Sequence, residues 1–149
     1  MDKELKYGHI HGSKMAVPVE IAASQTLKAQ SGRFVYMDAT GQANLNEDGS
    51  TRIFGHLEAG DESPSQGDVY NCIIDKNAVF RIPINSGTYT KAMIGDTCDI
   101  SVSSDVQGAQ LDASVENTLI VVGGDATNNN WVEVIMNPTY MGTGNGVDA

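Results

Sequence analysis

The chain has 149 residues, 40% of them hydrophobic, so it is long enough to bury a sizeable core and reads most simply as one domain. Its formal charge of −10 argues against nucleic acid and against an anionic membrane surface, because both need clustered Lys and Arg. No apolar run approaches the ~20 residues that span a bilayer, and the opening MDKELKYGHIHGSK lacks the apolar centre of a signal peptide, so synthesis in a cytoplasm is expected.

Residues 1–14 are polar and carry glycines at 8 and 12, which reads as an extended arm rather than a folded element. Residues 16–23 (AVPVEIAA) give the first strand, with Pro18 marking an edge or a strand start. Strands are predicted next at 26–29, 33–38 (RFVYMD), 43–45 and 51–57 (TRIFGHL), separated by the turn phrases QSG, ATGQ and NEDGS. Residues 58–68 (EAGDESPSQGD) form a polar loop. The runs 69–75 (VYNCIID) and 78–84 (AVFRIPI) flank Lys76-Asn77 and read as a hairpin, with Arg81 and Pro83 implying an edge or a bulge. Strands at 92–94, 98–102, 118–122 and 131–136 complete the set. Residues 112–117 are the best helix candidate, a turn or two at most.

Turns every 8–12 residues or so are the spacing of a sandwich or barrel. The expectation is an all-β domain over 15–137, a small antiparallel β-barrel or β-sandwich, with an N-terminal arm (1–14) and a flexible tail (138–149). The apolar members of the alternating runs, Val35, Ile53, Phe54, Cys72, Ile74, Phe80, Ile82, Ile100, Ile120 and Val134, are the predicted core.

Charge is unevenly spread. Residues 1–14 hold Lys3, Lys6 and Lys14 against Asp2 and Glu4, a net of +1; residues 92–149 hold eight acidic residues and no Lys or Arg, a net of −8. This is either a solvated acidic surface or a two-ended molecule, with a docking arm and an acidic body.

Reactive chemistry is sparse. His9 and His11 at i, i+2, with His56, are a possible metal set, against the simpler reading of polar arm residues. Asp96 with Asp99, and Asp125 with Asn128 and Asn130, miss the spacing of a calcium loop and read as turn residues. Gly123-Gly124 follows a strand but precedes no helix, so no nucleotide loop is read there. Cys72 and Cys98 read as buried free thiols rather than a disulfide. Trp131 beside Asn128-Asn129-Asn130 is either a core tryptophan or a sugar platform. No enzyme motif, metal site or cofactor is assigned.

The run IAASQTLKAQSGRFVYMDATGQANLNEDGSTRIFGHLEAGD resembles the opening of small capsid decoration (cement) proteins of tailed bacteriophages. The matching pieces are Ser24-Gln25-Thr26-Leu27-Lys28-Ala29, residues 32–38, Gly41 and Ile53-Phe54-Gly55. Looser echoes follow in GDTCDISV, NTLIVVGGD and NNWVEVIMN. Gln30-Ser31 before Gly32 and the long polar N-terminus depart from the pattern. The resemblance implies a compact β-barrel or sandwich on the outer capsid surface of the virion. It implies a homotrimer that clamps neighbouring major capsid protein subunits and makes or breaks no bond. Lys3, Lys6, Tyr7, Ile10 and Lys14 are then the candidate contacts with capsid or a neighbouring subunit, on an arm that orders when it binds. The alternative is another virion or cell-surface binding module, a fibre base or a glycan-binding domain.

Overall fold

The computed structural model describes residues 7–58 and 61–141. Eleven strands run in chain order: β1 Gly8–His11, β2 Ala16–Ile21, β3 Phe34–Met37, β4 Gln42–Leu45, β5 Gly55–Leu57, β6 Val69–Ile73, β7 Val79–Ser86, β8 Thr97–Ser103, β9 Val106–Gln110, β10 Leu119–Gly124 and β11 Trp131–Met136. Short 3₁₀ turns at Lys91–Met93 and Pro138–Tyr140 are the helical content of the described residues. The fold is all-β, as the turn spacing predicts.

The strands make two units. β2, β4, β3, β5 and β6 close into a small barrel in that order. The other six form a sheet in the order β1-β7-β11-β10-β8-β9, which folds back on itself because β9 also pairs with β7. Two of the pairings, β2 with β4 and β7 with β9, are parallel, where a wholly antiparallel arrangement was expected.

Each unit has a core. Val19, Ile21, Leu27, Val35, Ala43, Leu57 and Cys72 fill the first barrel. Phe80, Ile82, Ile100, Leu119, Val121, Val132, Val134 and Met136 fill the second unit, joined there by Phe34, Ile53 and Ile73. Neighbours on one strand therefore look into different cores: Phe34 into the second and Val35 into the first, Ile73 into the second and Cys72 into the first. β3 and β6 are a shared wall, which is why FV and CI read as continuous apolar pairs instead of alternating.

Seven of the ten predicted core residues are fully buried; Phe54, Ile74 and Ile120 are only partly so. In β10 the register is shifted by one, and Leu119 and Val121 point inward in place of Ile120. Cys72 and Cys98 are free and buried in different cores, and burial pushes both thiols up to about 12.

Several expected elements are corrected. The arm is not free from residue 8 onward: β1 pairs antiparallel with β7, Gly8 opposite Arg81, and Tyr7 is buried. β6 and β7 are not a hairpin, since β6 pairs with β2 and β5 while β7 belongs to the other sheet. A two-residue hairpin needs positive φ at its centre, and neither Lys76 nor Asn77 has it. Their turn instead closes on Asp75, which accepts the Asn77 N–H at 2.9 Å, and carries the chain from one unit to the other. β7 is no edge strand: it pairs with β11 on one side and with β1 then β9 on the other. Pro83, with no N–H to give, falls between the β1 and β9 partners. Pro18 lies in the stretch of β2 that pairs with β6 alone.

Residues 26–29 form no strand, though Leu27 plugs the first core. The run 51–57 is strand only over its last three residues. Ile53 instead bridges Met141, so the expected tail is held in the fold up to that residue. Residues 92–94 fall in the first 3₁₀ turn and its C-cap, and 112–117 are irregular.

β9 is absent from the sequence reading. It follows a tight turn in which Ser104 and Asp105 both take positive φ (51° and 64°), the conformation for which Asn-Gly is the usual signal.

Phe80 sits at the centre of the second core, with Phe34 edge-on at 5.1 Å and His56 stacked at 4.7 Å between ring centres. Phe80→Ala is expected to cost about 3–5 kcal/mol in urea denaturation. A loss within ~0.5 kcal/mol would mean that this ring does not hold the core.

Candidate functional site

The densest polar chemistry lies where the two units meet. Residues 31–34 enter β3 past a close neighbour: a Cβ on Gly32 would stand 2.7 Å from Gln107 Oε1, so a larger residue there would push the Gln107 amide off its partners. The Gln107 side chain, fully buried on β9, lies along β3 like a piece of strand. Its Oε1 accepts the Phe34 N–H at 2.8 Å, and its Nε2 donates to the carbonyls of Phe34 (2.8 Å) and Asn46 (2.9 Å). Its backbone completes the join: the Gln107 N–H donates to Ser31 Oγ at 2.7 Å, and Gly32 N–H donates to the Gln107 carbonyl at 2.8 Å. Ser31 belongs to the pair that departs from the decoration-protein pattern.

Arg33, next in the chain, is only 1% exposed, and its guanidinium donates to backbone carbonyls. Nε donates to Leu57 at 3.3 Å, Nη1 to Ser31 at 2.6 Å, and Nη2 to Tyr7. Burial lowers its guanidinium from 12.5 to about 10, so it is still cationic at neutral pH. The carbonyls spread that charge, and the one from Tyr7 ties β1 to the junction.

His56 completes the cluster. Its Nε2 accepts the Arg33 N–H at 3.1 Å, and its ring packs against both Phe34 and Phe80. Burial first, then the Arg33 charge, lowers its pKa well below 6.5, against a smaller opposing bond with the Leu57 backbone. A protonated ring would set a second N–H against that of Arg33, so the neutral form is the one that fits.

Over this cluster opens a cleft of about 320 Å³, lined by Tyr7, Gly8, Ile10, Lys14, His56 and Glu58 among others. Three of the five candidate contact residues thus come together. Tyr7 is 7% exposed and spent within the fold, whereas Ile10 is 36% exposed on β1. Lys14 reaches Glu58 at 2.6 Å across the rim, an exposed pair worth roughly 0–1 kcal/mol. Lys3 and Lys6 lie outside the described residues.

The other sequence candidates are used locally. His9 meets Phe80 edge-on and His56 is committed as above; among the described residues no three His, Cys, Asp or Glu side chains are grouped to hold a metal ion. Asp125 accepts the N–H groups of Thr127 and Asn128, as a turn residue does. Trp131 is not in the core: it lies half-buried on the outer face of β11, under the guanidinium of Arg81 at 3.8 Å, which also pairs with Glu133. Among the described residues no helix is long and apolar enough to cross a membrane.

Comparison with family models, curated proteins and solved structures returns no match.

Gln107 and Asn46 escaped the sequence reading, and Asp99, expected as a turn residue, instead lies buried within β8. The available signal was a polar residue inside a strand-like run, Gln in VQGAQ and Asp in TCDISV.

Gln107→Leu, close in size, strands the Phe34 N–H and two carbonyls. It is expected to cost on the order of 3 kcal/mol or more in urea unfolding, with a loss under ~0.5 kcal/mol as the contrary result.

His56 also sets a pH dependence. Its folded pKa is depressed, so its stabilisation is complete above the unfolded value near 6.5 and falls away as pH drops below it. The urea midpoint should decline from pH 7.5 to 5.5, and His56→Gln should flatten that slope. An unchanged slope in the variant would assign the decline to other groups.

Proposed function

We propose that this protein is a non-enzymatic structural component of a phage virion. In this reading it binds the outer surface of an assembled capsid as a homo-oligomer, a trimer, and stabilises the shell by clamping neighbouring major capsid subunits. The observation that carries the reading is the resemblance over residues 21–61, whose buried members Leu27, Phe34, Val35 and Ile53 are distributed between the two cores. The all-β fold is in keeping with it, and so is the acidic composition, which keeps surfaces from sticking.

β1 supplies a contact element suited to that role. Among the described residues it pairs with β7 alone, so its outer edge is open to a strand from a capsid subunit, with Ile10 exposed beside it. Because Arg33 and β7 already hold this strand, little ordering entropy is lost when a partner engages it. Three such contacts in a trimer act together on a rigid lattice, since the second and third engagements are intramolecular.

The glycan-binding alternative has less support. One face of the Trp131 ring is covered by Arg81, and Asn129 is spent on the backbone of Gly87 and Tyr89.

Cosedimentation with expanded shells, set against binding to free capsid subunits, tests the reading. The shells should bind far more tightly, and Ile10→Asp should weaken that binding by ~10-fold or more without lowering the melting temperature. Equal affinity for shells and subunits would favour a simple binary partner, and no binding to either would end the capsid reading. Deleting residues 1–14 is expected to lower the melting temperature as well, because it removes Tyr7 and β1.

A further inference from the structure

The cleft over the junction has a charged floor. The Arg33 guanidinium carries five N–H groups, and four are used within the fold: Nε on Leu57, Nη1 on Ser31 and Lys28, and Nη2 on Tyr7, all backbone carbonyls. The fifth, on Nη2, has no acceptor among the described residues. Nor does any carboxylate among them pair with this cation, although it is almost fully buried. Buried cations are ordinarily met by an anion, because carbonyl dipoles offset the lost hydration less fully than a negative charge does.

Nη2 is also the end of the guanidinium that β1 leaves uncapped. A Cβ on Gly8 would stand 3.0 Å from it, and Gly8 takes a φ of 145°, which residues with a side chain rarely adopt. Gly8 and Arg33 both line the cleft of about 320 Å³, so the gap over Nη2 belongs to the cleft. The charges above it cancel: Lys14 pairs with Glu58 at 2.6 Å on the rim, and His56 is neutral. Ile10 and Leu57 add apolar wall.

We infer that this cleft is a binding site for a carboxylate on a short apolar stem, one oxygen accepting from Arg33 Nη2 and the stem lying against Ile10 and Leu57. One uncancelled positive charge matches a monoanion, and Glu58 at the rim disfavours a doubly charged group such as phosphate. The carboxylate comes from a small organic acid or from an acidic side chain of a partner. The site does not depend on the capsid reading above.

The test uses the full chain near neutral pH and follows the Arg33 Nε–Hε and Gly8 amide signals by NMR. Butyrate, its neutral counterpart butyramide and inorganic phosphate are added separately. Butyrate should shift both signals saturably, with half-saturation on the order of 1–10 mM and ~10-fold or more tighter than butyramide or phosphate. No saturable shift up to ~100 mM, or equal shifts with butyramide, would overturn the site. Phosphate binding as tight as butyrate would overturn its assignment to a carboxylate. Lys14→Gln leaves the Glu58 charge unpaired at the rim and should weaken butyrate several-fold with unchanged melting. Undiminished binding by that variant would put butyrate outside the cleft. Tighter butyrate binding by the double variant Asp2→Asn, Glu4→Gln would overturn an external ligand in favour of the chain's own first residues. The source is read from expanded shells. Saturating butyrate that weakens shell binding assigns the carboxylate to a capsid subunit, whereas undiminished or absent shell binding assigns it to a free acid, and the site stands on either result.

Discussion

The Gln107 side chain is the interaction on which the rest of the structure depends. It joins two small β units at the centre of their contact, alongside apolar packing and further polar links such as the Ile53 N–H to the Tyr140 carbonyl and the Gly32 N–H to the Gln107 carbonyl. An amide side chain can reproduce the donor and acceptor of a peptide group, and this one does so against both the N–H and the carbonyl of Phe34, then reaches Asn46. The join is directional where hydrophobic contact is not, so it fixes how β9 lies on β3. Phe34, held at that point, is sent into the second core while Val35 next to it fills the first. Arg33 then faces the cleft, and its bond to the Tyr7 carbonyl brings β1 onto the same junction.

Legibility in the sequence followed the physics of each element. β2, β3, β6, β7 and β11 could be read because their alternation and bounding turns are local properties. The all-β class followed from the same turns. β9 was missed because Ser104 and Asp105 adopt the left-handed turn without the usual residues, and because VQGAQ buries a glutamine where an apolar residue is expected. The false hairpin at Lys76-Asn77 has the opposite cause: polar residues between two apolar runs do not reveal the sign of φ, which decides whether the runs pair. Parallel pairings such as β7 with β9 join distant segments and leave no local trace.

The candidate site was legible only in part. Tyr7, Ile10 and Lys14 do gather on one cleft, but the sequence assigned them to a loose arm. Nothing local indicates that Arg33, 26 residues beyond Tyr7, will hold that arm by a backbone carbonyl. The result is a first strand that is held on the fold by β7 and by Arg33. In the capsid reading proposed above, a strand edge held in place with Ile10 exposed on it would favour a fixed surface, where preformed geometry counts for more than adaptability.

The central claim is that the two units form one cooperative body through the Gln107 junction. Native-state hydrogen exchange of individual amides tests it most directly. The Phe34 and Gln107 amides, together with core-strand amides such as Cys72 in the first unit and Val132 in the second, should open with one common free energy equal to that of global unfolding. Exchange of Phe34 and Cys72 by a separate, lower-energy opening that leaves Val132 protected would show that the units unfold independently, and would contradict the claim.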